Sequence, residues 1–265
     1  MSEEFIKKLS YSSISSYLSC GLWWKFRYVD KIPTSTSTAL LLGGVFHNTV
    51  EKFVTDLALT NTAEPLVEIW KNEWEKKLEQ EGGKVDWQDE TPESVEAEGR
   101  RLMESPSIFQ TLLKVNPQVI DKKVSIEKQV EFFVPEVELP IVGYIDIIEQ
   151  DGVPGDFKTA SMSWNEKKAM EELQPLFYIA GLEQNGFEDN PEMKFRHFVF
   201  VKNKTPKAQI IETQRKRGEL DFLFEIIQRV WQGIKSETFV PNPTTWKCSE
   251  KYCEFWGICR GKSLE

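Results

Sequence analysis

Asp156 and Lys158 stand two residues apart in VPGDFKTA, and Asp146 lies a short way upstream in GYIDIIEQ. On a β-strand, residues two apart share a face, so Asp156 and Lys158 project together while Phe157 points to the other side. Two carboxylates and one ammonium at the end of a hairpin suit a hard divalent cation. Such an ion lowers the pKa of bound water and polarises a phosphoryl oxygen. The lysine would orient that water and stabilise charge developing on the phosphate. The plainer alternative for D-x-K is a strand-end salt bridge.

Whether the acids meet depends on the turn. A three-residue loop Gln150-Asp151-Gly152, with Gly152 left-handed, pairs Glu149 with Val153 and sets Asp146 opposite Asp156. A two-residue Asp-Gly turn sets Asp146 opposite Phe157 and parts the acids. Pro154 disturbs the ladder in either case.

Further candidates lie on predicted helices. His47 and Glu51 are four apart in LLGGVFHNTVEKF and share a helix face, as do Gln174 and Tyr178 in QPLFYIAG. His197, in the alternating KFRHFVFV, reads as a packed strand residue. Three of the four cysteines, Cys248, Cys253 and Cys259, crowd the C-terminal end, and Cys20 is far upstream. In a reducing compartment such thiols more often bind metal than each other, which leaves a disulfide as the lesser alternative.

Composition limits the partners. The chain has 265 residues, 40% hydrophobic and 28% charged, with 33 Lys+Arg against 42 Asp+Glu, net -9. That describes a globular protein and argues against non-specific coating of nucleic acid. A local basic groove stays open: Lys202, Lys204 and Lys207 in VKNKTPK, then Arg215 and Arg217, are candidate DNA contacts, although each alone is more often a solvated face. No signal peptide and no membrane-length apolar run is seen, so a cytoplasmic protein is expected.

The elements that must position these residues follow from periodicity. Helix is expected over 10–29, with a serine cap, and over 39–59, entered through Gly43 and Gly44. Two or more amphipathic helices fill 64–115. Three β-rich stretches follow: KVSIEKQVEFFVP, LPIVGYIDIIEQ and VPGDFKTA. A helix over 165–185 ending at Gly186, two strands and a helix of roughly 20 residues complete the order. The class is a mixed α/β sheet flanked by helices. No P-loop is present.

Taken together, SYSSISSYLSC-x-x-W-x-F-x-Y, G-x-x-H-x-x-x-E at Gly44 to Glu51, GYID, GDFK, Q-x-x-x-Y at Gln174 to Tyr178 and P-N-P-x-x-W-x-C resemble the RecB-type branch of the PD-(D/E)XK nuclease superfamily. The closing cysteines look like its iron–sulfur subset, which includes the AddB nuclease domain and CRISPR-associated single-domain exonucleases. Gly21 stands where proline is common, and C-x4-C-x5-C is longer between its first pair than in many relatives. The resemblance implies a restriction-endonuclease-like fold in a single nuclease domain over 1–265. It also implies a helical insertion over about 60–120 and a cluster lobe formed by residue 20 and 240–262. His47, Asp146, Asp156 and the Phe157 carbonyl would bind Mg2+ or Mn2+, and Lys158 would be the catalytic lysine. Glu51 would support the site, while Gln174 and Tyr178 would position Lys158 or touch DNA. Cys20, Cys248, Cys253 and Cys259 would hold a 4Fe-4S cluster, with zinc as the alternative. The implied activity is exonucleolytic, on single-stranded DNA or duplex ends, in repair, recombination, phage replication or CRISPR spacer processing with a helicase or other partner. The rivals are an endonuclease on the same core and a non-catalytic DNA-binding subunit.

Overall fold

The structure, a computed structural model, describes residues 6–187 and 189–260. Helix α1 (Tyr11–Ser19) is capped by Ser10, whose hydroxyl accepts from the Ser13 amide at 3.2 Å. The helix expected over 10–29 is broken: Cys20 is extended (φ -164, ψ 108), and α2 (Gly21–Trp24) restarts into a π-helical turn over Lys25–Val29. After β1 (Thr36–Ser37), Ser37 caps α3 (Thr38–Thr60). Gly43 and Gly44 lie within α3, not at its entrance, because Ser37 supplies the start.

Next come α4 (Leu66–Glu81), β2 (Val85–Asp86), α5 (Pro92–Met103) and α6 (Pro106–Leu112). Left-handed Gly82 ends α4, and a reciprocal Thr91–Ser94 capping box starts α5. Strands β3 (Val119–Ile120), β4 (Lys123–Val124), β5 (Ile126–Phe132), β6 (Ile141–Ile148) and β7 (Pro154–Ala160) follow. The helix expected over 165–185 is two: α7 (Glu166–Glu171) and α8 (Gln174–Gln184). Pro175 in the first turn of α8 lacks the amide that would bond back to the preceding helix, so the helix must restart. Then come β8 (Lys194–Val201), β9 (Lys207–Gln214) and α9 (Arg217–Lys235). No described helix is long and apolar enough to cross a membrane.

The main sheet has the order β5-β6-β7-β8-β9, antiparallel between β6 and β7, parallel between β7 and β8, and antiparallel between β8 and β9. Compactness divides the chain into two units. One takes Thr36–Gln129 and Tyr144–Lys216. Its core joins Ile147, Phe157, Phe198 and Phe200 from the sheet to Phe46 of α3, Trp70 of α4, Leu102 of α5 and Ile108 of α6. Gly99 permits this packing, since a Cβ there would stand 1.8 Å from the Trp70 ring. The 66–112 helices are therefore integral to that core.

The other unit takes the chain up to Ser35, Val130–Gly143 and the chain from Arg217. Its core is aromatic. Trp24 stacks on Phe239 at 5.7 Å, and Phe255 is met by Trp23 and Phe26 at 5.7 and 5.4 Å. The Tyr17 hydroxyl donates to the Thr238 carbonyl, and Leu9 lies beside Ile141 in a parallel bridge.

Candidate active site

The β6–β7 turn decides where the acids go. Gly152 has φ +80, its amide donates to the Glu149 carbonyl at 2.9 Å, and the Glu149 amide donates to the Val153 carbonyl at 3.0 Å. The loop is thus Gln150-Asp151-Gly152, the first of the two registers. Ile148 faces Pro154 and Ile147 faces Gly155; one step further along each strand come Asp146 and Asp156. Pro154 is tolerated because it follows a hydrogen-bonded pair, and antiparallel ladders alternate such pairs with ones that exchange no bonds. Arg196 of β8 grips the loop, donating to Glu149 Oε2 at 2.6 Å and Asp151 Oδ2 at 2.6 Å.

Both acids are buried, Asp146 5% and Asp156 1% exposed. The Phe157 amide donates to Asp146 Oδ2 at 2.7 Å, and His47 Nδ1 of α3 lies 3.5 Å from the same oxygen. Lys158 Nζ sits 2.7 Å from each oxygen of Asp156. The ammonium thus contacts both oxygens of the buried carboxylate. Burial, then the Asp156 charge, pushes the Asp146 carboxyl well above the usual range, against the pull of Lys158. Burial likewise holds His47 below its ordinary value, so it is neutral and keeps a lone pair to offer.

Helix α8 adds two groups. Gln174 Nε2 donates to the Tyr178 hydroxyl at 2.6 Å across one turn. Burial, then the charges of Asp156 and Asp146, raises the Tyr178 phenol, so it stays protonated beside the acids. His197 pairs with Asp156 in the β7–β8 register and is packed between Trp164 and Phe195 at 5.4 and 4.9 Å. Burial lowers it to about 4. It is a neutral strand residue, as its alternating context suggested.

One nearby residue carried no sequence signal. Glu127 of β5, with left-handed φ 47, bears electrostatically on His47, Asp146 and Tyr178. Burial, then the Glu127 charge and hydrogen bond, raises Glu51 to about 8. Both glutamates line an open hollow of about 350 Å³ with Asn48, Glu73 and Lys76. No motif spans residues that meet through sheet placement alone.

The four cysteines are free and part-exposed. Cys20 Sγ accepts from the Asn242 amide at 3.4 Å, and Cys248 Sγ from Arg260 Nη1 at 3.9 Å. Burial, with the charges of Cys20 and Cys248 adding, pushes the Cys253 and Cys259 thiols up. The distant cysteine is therefore near enough to act on the C-terminal ones.

A sequence model of the PD-(D/E)XK nuclease superfamily matches residues 8–260. The chain belongs to that superfamily. Among solved structures, a candidate exonuclease from Eubacterium rectale is similar with TM-score 0.58 and 11% identity, covering 94% of this chain and 91% of its own. A protein named SSO0001 gives TM-score 0.37 and 16% identity over 95% of this chain and 93% of its own. No curated protein matches the chain significantly. The five-strand mixed sheet flanked by helices is the restriction-endonuclease-like fold of these nucleases.

PD-(D/E)XK nucleases generally use divalent metals. Among the described residues, no three His, Cys, Asp or Glu side chains converge closely enough to hold an ion as they stand. The donor chemistry does fit: both carboxylates are buried one residue beyond the paired Ile147 and Gly155, and the imidazole of His47 lies 3.5 Å from Asp146 Oδ2. The basic candidates fare unevenly. Lys202 pairs with Glu98 at 3.2 Å, Lys204 and Lys207 are exposed, and Arg217 is exposed at the start of α9. Arg215 is a correction: it is buried, and its guanidinium donates to the carbonyls of Ala169, Met170 and Glu172 at 2.9, 2.6 and 2.9 Å. Three backbone acceptors at the end of α7 hold it away from solvent.

Proposed function

We propose that this chain is a divalent-metal-dependent deoxyribonuclease, an exonuclease acting on single-stranded DNA or duplex ends. The observation that carries the proposal is the buried Asp146–Asp156 pair, with the Lys158 ammonium on Asp156 and His47 Nδ1 3.5 Å from Asp146. Two buried carboxylates within each other's field repel and lose hydration, a cost that a bound divalent cation would offset.

Asp146, Asp156, His47 and the Phe157 carbonyl would hold Mg2+ or Mn2+. When bound, the ion supplies Lewis-acid polarisation and a more acidic water. Lys158 would orient the attacking water and stabilise the charge developing on the phosphate. Gln174 and Tyr178 form a neutral hydrogen-bonding pair that positions Lys158 or a DNA phosphate. Glu51 supports the His47 face of α3 from one turn away.

Cys20, Cys248, Cys253 and Cys259 would bind a 4Fe-4S cluster, with zinc as the alternative. Burial, with Cys20 and Cys248 adding, disfavours the thiolates of Cys253 and Cys259, which a metal centre would stabilise. The whole chain would serve as one nuclease domain, with 60–120 as its insertion and 240–262 with Cys20 as its cluster lobe. Lys202, Lys204, Lys207 and Arg217 would be secondary DNA contacts. The chain would work in the cytoplasm, and a helicase or a recombination or CRISPR protein would supply unwinding for repair, recombination, phage replication or spacer processing.

Incubation with end-labelled linear DNA and with covalently closed single-stranded circles in manganese tests the proposal. Linear strands should be degraded and circles resist. Circles cut as fast as linear strands would make the enzyme an endonuclease, and no cleavage of either would end the assignment.

A further inference from the structure

Trp246 is the one exposed tryptophan among the described residues, with 70% of its surface accessible. The chain buries others fully, Trp24 and Trp70 at 0%. Tyr252, 56% accessible, meets the Trp246 ring edge-on at 5.2 Å and 73°. Lys247 Nζ lies 5.7 Å from the centre of the same ring. The segment does not need this pair for its core, because Phe255, 2% exposed, is its anchor between Trp23 and Phe26. Two large aromatic surfaces left in water are a cost that packing has not removed.

Local charge indicates what covers them. From Trp246 to Arg260 the chain has three bases and two acids, against net -9 overall. One of those acids, Glu254, is already engaged by the Trp23 indole at 3.0 Å and by Arg27 at 3.5 Å. Aromatic faces flanked by cations match a polyanion whose bases are free to stack. A duplex keeps its bases stacked internally and offers only phosphates here.

Resting on the nuclease assignment above, we propose that Trp246 and Tyr252 form a stacking platform for an unpaired base of single-stranded nucleic acid, with Lys247 neutralising the adjoining phosphate. Every base has a π-face, so the platform favours unpaired strands without reading sequence.

The test uses the full chain in EDTA, so that strands are held and not cut. Binding of fluorescein-labelled oligo-dT is compared with that of an abasic strand of equal length and of a blunt hairpin duplex. Trp246→Ala should weaken oligo-dT binding about tenfold or more, leave abasic-strand and duplex binding unchanged, and leave the melting curve unchanged. Trp246→Phe should retain most of the affinity, and Tyr252→Leu should lose less than Trp246→Ala. Equal loss on the abasic strand, or no loss on oligo-dT, overturns the platform. If oligo-dT binding is unaffected while native protein still cleaves DNA in manganese, only the platform falls. A native chain that neither binds nor cleaves overturns both assignments.

Discussion

In the β6–β7 hairpin, Asp146 and Asp156 are close in sequence, deeply buried, and each one residue beyond the Ile147–Gly155 pair that a left-handed glycine and a three-residue loop set up. In the cysteine region, Cys20 is separated from Cys248, Cys253 and Cys259 by most of the chain, and all four are part-exposed. No described helix or strand follows α9, so the C-terminal segment is held by ring packing around Phe255 and Phe239 and by side-chain bonds such as Asn242 to Ser19. The contrast concerns what each site costs to assemble. The hairpin closes a very short loop and spends its free energy on burying like charges. The cysteine region closes a very long loop, with an entropy cost that a covalent or metal tie would remove from the unfolded state.

The sharpest way to break this contrast is at Asp156. Asp156→Ala removes the buried carboxylate that Lys158 contacts and should lower DNA cleavage by about a thousandfold or more. Circular dichroism and melting should show the fold intact. Full activity in a folded Asp156→Ala protein would sink the site assignment. Lys158→Ala should cost about a hundredfold in turnover, while the metal concentration giving half-maximal rate stays put. A parallel shift in that concentration would make Lys158 a structural partner of Asp156 only.

The opposite region is probed at Cys20. Cys20→Ala should remove the brown colour of a cluster and destabilise the protein by on the order of 5 kcal/mol, as an upper figure from disulfide-like loop closure. Limited proteolysis should then open both ends of the chain, with activity falling through instability and not through the hairpin acids. Unchanged iron content and melting would show that Cys20 is no ligand.

The smallest effect expected is an acid one. His197 titrates near 4 in the folded chain against about 6.5 when unfolded. Protonation therefore favours the unfolded state: its contribution to stability is complete above pH 6.5 and is lost as pH falls toward about 4. His197→Phe should flatten the melting temperature against pH within that window. An equally steep slope in the variant would assign the acid sensitivity to the carboxylates alone.

The hairpin was legible because its information is local. The order Gln150-Asp151-Gly152 and the preference of glycine for positive φ narrow the turn to two registers, and the Glu149–Val153 bond selects the one with a three-residue loop. The Ser10 cap and the alternation of β8 are equally short-range signals, although the break at Cys20 and the restart at Pro175 that divides α7 from α8 required the backbone itself. Arg215 misled because a basic residue in a charged run resembles a solvated one until three carbonyls at the end of α7 are seen to surround it.

By itself, then, the sequence determined the mixed α/β class, the Ser10 cap, two candidate registers for the acids, and the helix spacing that sets His47 with Glu51 and Gln174 with Tyr178 on shared faces. Periodicity and turn chemistry act over a few residues, and these features ask for nothing longer. Only tertiary structure decided that Glu127 reaches Glu51, that Tyr178 lies within the field of Asp146 and Asp156, and that Cys20 is felt by Cys253 and Cys259. Those relations depend on which packed surfaces exclude water from which charges, a property of the assembled core that no local spacing encodes.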